Sequence, residues 1–242
     1  MKVKDQAFWI TWYDLPEHGR EKYLDWLHGS FIPKMLKRPG FLHAAHYQSE
    51  IKIKPEARLN QLNDPNFPKG NQFMLVFGGA EPHTFAHPSP HNLHQELSAE
   101  ENAMLGMRSG VRNSVFIEVA RVDGPDAGKR EGDYTLAPVV QIGGYQSGTA
   151  DEEEIMEFYA QGRMPEMAVL PCCMAMRKYV SVAGWADHGC FYEFTSLKGS
   201  DNFHAGSKNP KMAAWTDTLI RKFIHAPGTP TVGNRIWPPV KA

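Results

Sequence analysis

Hydrophobic positions change period several times along the chain. Residues 8–13 (Phe-Trp-Ile-Thr-Trp-Tyr) form a β-branched and aromatic run, the pattern of a strand. From Pro16 the period lengthens: Tyr23, Leu24, Leu27 and Phe31 recur at three and four, which predicts a helix that Pro16 can open. Pro33 should kink or restart that helix, and Pro39-Gly40 should end it. Residues 41–48 read as a second strand, 54–71 as a polar surface loop, and 72–77 as a third strand stopped by Gly78-Gly79. An irregular Pro/His stretch precedes a helix over 93–107, with Ser98 a candidate cap for a later start. A fourth strand over 111–122 carries Ile117, Val119 and Val122. The order is β-α-β-β-α-β, a ferredoxin-like unit.

The order then repeats. Residues 123–133, rich in Gly, Pro and charge, mark the boundary. Beyond them come a strand over 138–146, a helix over 151–170 opened by acidic residues, strands over 173–182 and 191–197, a helix over 210–223 and a strand over 231–237. A constant shift of 132 residues carries Tyr13 to Tyr145, Pro33 to Pro165, Met35 to Met167, Pro39 to Pro171 and Tyr47 to Tyr179. Prolines fix backbone geometry, so their register points to an internal duplication. The expected organisation is repeat 1 over 1–123, a linker over 124–136 and repeat 2 over 137–242. Two four-stranded sheets, each with helices on one face, bury their bare faces most economically against each other. That predicts an α+β fold of two tandem ferredoxin-like units packed sheet to sheet, closing a barrel with a cavity between the sheets.

Composition narrows the function. A net charge of −1 and scattered basic residues provide no field for nucleic acid or an anionic membrane. No apolar run reaches the roughly 20 residues a membrane span needs, and the amino-terminal residues do not read as a signal peptide. Three cysteines, two adjacent, make no disulfide framework and favour a cytoplasmic setting. GxSxG, P-loop and GxGxxG motifs are absent from the sequence. His83, His87, His91 and His94 lie in a run broken by Pro88 and Pro90, which reads as a solvated loop rather than a metal site.

The series Pro33, Pro39-Gly40, Tyr47, with an aromatic residue eight to ten positions after each third strand (Phe85, Phe203), resembles the EthD-like branch of the dimeric α/β-barrel superfamily. Members are usually single units that dimerise, so the resemblance implies that this chain is an intramolecular dimeric α/β barrel. It also implies a small-molecule enzyme, while other barrels of the superfamily hold haem on an axial histidine. The branch commonly carries a histidine two residues before the first proline. Phe31 and Arg163 stand there in this sequence, and His28, one turn earlier, is the nearest substitute.

Strand alternation then selects residues for the expected cavity. Val140 and Ile142 should face the helices, leaving Gln141, Gly143 and Tyr145, with Trp9, Thr11 and Tyr13 in the first half, for the cavity. On the second strands His43, Tyr47, Arg177 and Tyr179 are the preferred inward set, with His46 and Lys178 near strand ends in reach of water. Glu193, inside an apolar strand, calls for an arginine partner, Arg177 or Arg163. The expected catalytic set is His28, His43, Arg163, Arg177 and Glu193, with Trp9, Tyr13, Tyr47, Tyr145 and Tyr179 binding substrate. Arg163, Arg177, Glu193 and Tyr145 should share one pocket. The chemistry these groups suit is cofactor-independent acid–base catalysis, of lyase, isomerase or cyclase type, on a small aromatic or polyketide-like molecule. Haem binding and non-catalytic ligand binding are the rival readings. No metal is expected, no nucleic-acid or membrane partner, and a homodimer of the fused pair is left open.

Overall fold

The computed structural model describes residues 3–50 and 59–241. Strand β1 (Ala7–Asp14) leads into helix α1 (Arg20–Trp26), a π-helical turn (Leu27–Phe31) and helix α2 (Ile32–Met35). Strands β2 (Phe41–Ser49), β3 (Asn60–Gln61) and β4 (Phe73–Gly79) follow, then helix α3 (Ala99–Leu105) and strand β5 (Ser109–Asp123). The remaining residues form β6 (Val139–Gln146), α4 (Glu152–Glu157), a second π turn (Phe158–Arg163), α5 (Met164–Met167), β7 (Cys173–Ala183) and β8 (His188–Phe194). Helices α6 (Leu197–His204) and α7 (Pro210–Ile220) and strands β9 (Ile224–His225) and β10 (Thr231–Trp237) complete the chain.

Each π turn ends two residues before a proline. Pro33 and Pro165 have no N–H to give the preceding turn, so the helix widens for one turn and restarts. The helix expected over 93–107 begins later, at the Ser98–Glu101 capping box, after a short 3₁₀ turn. Helix α6 lies where the sequence reading left a connection. The loop expected over 54–71 contributes β3, which pairs with β9, while its residues 54–58 lie outside the described residues.

Eight strands close into an antiparallel barrel in the order β10-β2-β4-β1-β5-β7-β8-β6, with β6 returning to β10. The first half contributes β2-β4-β1-β5 and the second β7-β8-β6-β10, so the same order occurs twice. The two seams, β5–β7 and β10–β2, join one half to the other. Pro33 and Pro165 occupy corresponding helices, and Tyr47 and Tyr179 corresponding strands.

The barrel interior is filled rather than hollow. Phe8, Ile10, Trp12, Tyr47, Val76, Phe116, Val140, Ile142, Tyr179 and Phe191 pack there as one core. An eight-stranded barrel is just wide enough for side chains to fill it. This corrects two expectations. Val140 and Ile142 face the interior, not the helices, and the space between the sheets is packed core. Two further cores lie outside, between each half of the barrel and its own helices. Among the described residues no helix is long and apolar enough to cross a membrane.

Candidate functional site

The outer face of the second half holds a cavity of about 360 Å³. Its floor is β6, through Gln141, Gly143 and Tyr145, and the paired strand β8, through Cys190 and Tyr192. The π turn before Pro165 presents Phe158, Tyr159 and Arg163 over that floor, while α6 and α7 bring Phe203, His204 and Thr216. Gly143 contributes by absence: a Cβ there would lie 3.2 Å from Pro230 Cβ, across the cavity wall.

Three phenols and a thiol form a connected wall. Tyr145 donates to the Tyr159 hydroxyl at 3.3 Å, and the Cys190 thiol donates to the same oxygen at 2.9 Å. Burial raises the pKa of Tyr145, Tyr159, Tyr192 and Cys190 above their ordinary values, so all four are neutral donors near pH 7. Arg163 is the cation among them. Its Nη2 donates to Thr216 Oγ1 at 3.3 Å, its Nη1 lies 3.5 Å from Glu166 Oε2, and its guanidinium covers the rings of Phe158 and Phe203. Both polar contacts are long, which leaves the fork free to bind an anion more tightly. At the edge, His204 Nε2 and Gln141 Oε1 are 2.6 Å apart, an arrangement that orients the imidazole. His225 lines the same cavity and is buried, and burial lowers its pKa to about 4.

Beneath the phenols, Lys178 Nζ lies over the rings of Tyr145 and Tyr159, at 5.3 and 5.2 Å. It lies 2.9 Å from His188 Nδ1, and His188 in turn reaches Glu152. Burial lowers the Lys178 pKa to about 8.

The same place in the first half is closed. Trp9 packs against Phe77 and Phe85, and its Nε1 donates to Asn113. Tyr13 is 2.7 Å from His46 Nε2, and His46 Nδ1 is 2.8 Å from His28 Nε2, giving a chain from the barrel wall to half-exposed His28. Burial holds His46 well below its ordinary pKa, so it bridges as a neutral ring.

The barrel interior carries an ion network at one end. Asp5 accepts from Arg177 at 2.7 Å and Arg121 at 2.8 Å, and His43 lies 3.1 Å from it. Glu193, fully buried, accepts from Arg177 at 3.2 Å, Arg130 at 2.6 Å and the Ala137 amide at 2.9 Å. Burial alone would raise the Glu193 pKa, but Arg177 and Arg130 outweigh it and hold the carboxyl below its ordinary value.

The expected residues therefore divide among three places. Arg163 and Tyr145 share the outer cavity. Arg177 and Glu193 do not join them, a correction of the single expected pocket: they pair inside the barrel, with His43 and Asp5. Tyr47 and Tyr179 also point inward, Tyr47 donating to Ala137 O. Trp9, Tyr13 and His28 belong to the first half's outer face, so Tyr13 and Tyr145 do not meet. The physical reason is alternation: the first-strand set and the second-strand set lie on opposite faces of the barrel wall. His46 and Lys178 are buried, not at the water's edge. Tyr159, Tyr192, Cys190 and His204 were not singled out from sequence. The 132-residue shift could have raised Tyr159, which stands where the first half has Leu27.

No known protein-family model matches the chain, and neither does any curated protein. Solved structures do match it. An anthrone oxidase-like protein superposes with a TM-score of 0.60 at 9% identity, over 96% of this chain and 92% of that one. A protein from Fusobacterium nucleatum assigned as a monooxygenase gives 0.59 at 8% identity, over 97% and 94%. A mutant chlorite dismutase from Candidatus Nitrospira defluvii, in complex with cyanide, gives 0.51 at 9% identity, over 97% and 92%. At such identities the likeness shows the fold alone: a closed antiparallel eight-stranded barrel with helices packed outside it, here within one chain.

Among the described residues no three of His, Cys, Asp or Glu are placed to share a metal ion, and His83, His87, His91 and His94 are all exposed. The outer cavity does not fit haem. Its volume is at the small end for ligand sites, short of a porphyrin with two propionates. Of its two histidines, His204 engages Gln141 through Nε2, and His225, with Nδ1 buried and unpartnered among the described residues, has its ring packed against Tyr145 and Phe223.

Proposed function

We propose that the protein is an enzyme acting, without a bound cofactor, on a small planar phenolic or polyketide-like molecule in the outer cavity of the second half. The observation that carries this reading is Arg163: a guanidinium whose polar contacts among the described residues are long, set in an aromatic box among neutral phenols. A flat substrate would lie between Phe158, Phe203 and the β6–β8 floor. Its ionised oxygen would sit on Arg163, where the charge is worth most because the walls exclude water. Tyr159 and Tyr192 would donate to a neighbouring carbonyl. His204, oriented by Gln141, would take the proton that leaves the substrate carbon or phenol. The carbanion or phenolate so formed is common to isomerisation, cyclisation and reaction with dioxygen, and the anthrone oxidase-like and monooxygenase neighbours favour the last. We read the two halves as copies of one ferredoxin-like unit, the second having kept the cavity.

The test is turnover of anthrones and hydroxynaphthalenes by purified protein, with and without oxygen. Oxygen consumption matching product would place the chemistry on the oxidative branch, and anaerobic turnover on the isomerase or cyclase branch. Arg163→Ala should lower kcat/KM by roughly thirty- to a thousand-fold, equivalent to about 2–4 kcal/mol of lost transition-state stabilisation. Near-normal kcat/KM in folded Arg163→Ala would remove the reading.

A further inference from the structure

A second cavity, of about 200 Å³, opens at the end of the barrel interior near Trp12. Its exposed wall is mostly apolar, with three aromatic side chains, Trp12, Phe67 and Trp185. Trp12 forms the inner wall, and Phe67 and Trp185 meet edge to face across the mouth, with ring centres 5.4 Å apart. Two residues that line this space each carry a buried N–H without a hydrogen-bond partner among the described residues. Trp12 is 2% exposed, and its Nε1 has no hydrogen-bond partner among the described residues. Arg112, directly opposite Trp12 on the neighbouring strand, holds its guanidinium over the Trp12 ring at 5.0 Å. One arm, Nη1, donates to Gly70 O at 2.6 Å, while Nη2 is buried and unpartnered among the described residues. No carboxylate among the described residues comes within ion-pair distance of it, Asp14 acting on its charge only from farther off.

A buried N–H without an acceptor is costly, and a charged one more so. Two such donors beside one cavity, one of them cationic, call for an acceptor that carries negative charge. The aromatic mouth calls for a flat apolar body. We propose that this cavity is a binding site for a single-ring aromatic carboxylate. The carboxylate would accept from Arg112 Nη2 and Trp12 Nε1, and its ring would lie against Phe67 and Trp185. The site is separate from the outer cavity but one backbone layer away. Along β6, Gly144 lines this cavity while Gly143 and Tyr145 line the other, and the neighbours Ala226 and His225 divide in the same way.

The test uses benzoate as the probe and the indole N–H signals of the full-length protein by NMR, the chain having six tryptophans. Trp12→Phe identifies the Trp12 signal. Benzoate should shift that signal saturably downfield, as a new hydrogen bond requires. Trp12→Phe, which keeps the ring and loses the donor, should weaken benzoate binding by about tenfold. Arg112→Gln should abolish binding, and Trp185→Ala, whose side chain is at the mouth, should weaken it with little effect on folding. Arg163→Ala should leave this titration unchanged. An unmoved Trp12 signal at millimolar benzoate would overturn the proposal, as would undiminished affinity in Trp12→Phe and Trp185→Ala. Acetate or inorganic phosphate binding as tightly as benzoate would overturn the aromatic part of the assignment.

Discussion

The outer faces of the two halves share one backbone plan and have opposite contents. On β1, Trp9 and Thr11 stand where β6 has Gln141 and Gly143. On β4, Leu75 and Phe77 stand where β8 has Cys190 and Tyr192, as the strand registers show. In the π turns, Leu27 and Phe31 stand where the second half has Tyr159 and Arg163. The first half fills the space under its helices with Trp9, Phe77 and Phe85. The second replaces an indole with an amide and a β-branched residue with glycine, and so leaves a hole lined by donors. A cavity forfeits packing energy, so a retained one lined by polar groups argues for a ligand. Inside the barrel the halves complement each other. Gly78 leaves room for His43 in the first half, and the matching pair in the second is Glu193 and Ala175, so the buried ion network is assembled from both.

The largest expected effect tests that joint network. Arg177 stands where the first half has Ala45, and Arg177→Ala would leave Asp5 and Glu193 buried and under-compensated. It should cost about 3–5 kcal/mol in urea unfolding while leaving ligand binding in the outer cavity within twofold. A small cost would mean that the interior charges are wetter than their burial implies.

Next is the contrast in packing. Phe77→Ala should cost about 3–5 kcal/mol, because it opens a hole in a filled core. Tyr192→Ala at the matching position should cost about half as much, since one side of its ring already faces a cavity. Equal losses would show the two outer faces to be packed alike.

The third prediction concerns pH. His43, His46 and His225 have folded-state pKa values below their unfolded values, His225 at about 4, and burial is the main cause. Such groups bind fewer protons in the folded state. Their contribution is complete above pH about 6.5 and is lost as pH falls towards 4. Asp5 and Glu193 are also held below their ordinary values, so a second loss should begin below about pH 4. Stability measured from pH 7 to 3 should fall in these two stages, and Glu193→Gln should shrink the second. A flat profile above pH 4 would contradict the neutral histidines.

The smallest effect compares His46 with Lys178, which takes its place in the second half. His46→Phe should cost about 1–2 kcal/mol by breaking the Tyr13–His46–His28 chain. Lys178→Met should stabilise by a similar amount at pH 7, where the ammonium is charged and buried. Because the folded lysine titrates at about 8, below its unfolded value of 10.5, that gain should vanish as pH rises through this window. A Lys178→Met gain independent of pH would assign the effect to packing alone.

The sequence alone made legible the order of the long strands and most helices, and the 132-residue register that aligns Pro33 with Pro165 and Tyr47 with Tyr179. It called for an arginine beside Glu193 without choosing between Arg177 and Arg163, and it put Arg163 and Tyr145 at one cavity. Each rests on local chemistry: proline fixes backbone geometry, periodicity fixes element type, and an acid in an apolar strand needs a cation. It did not determine which face of each strand meets the helices. An eight-stranded barrel buries both faces of its wall, so hydrophobic alternation loses its meaning and Val140 looks as fit for one side as for the other. Only the closed barrel decided that its interior is solid. With that, the cavity moved outward to the helices, where Tyr159 of the π turn, Cys190 and Tyr192 of β8 and His204 of α6 converge on Arg163.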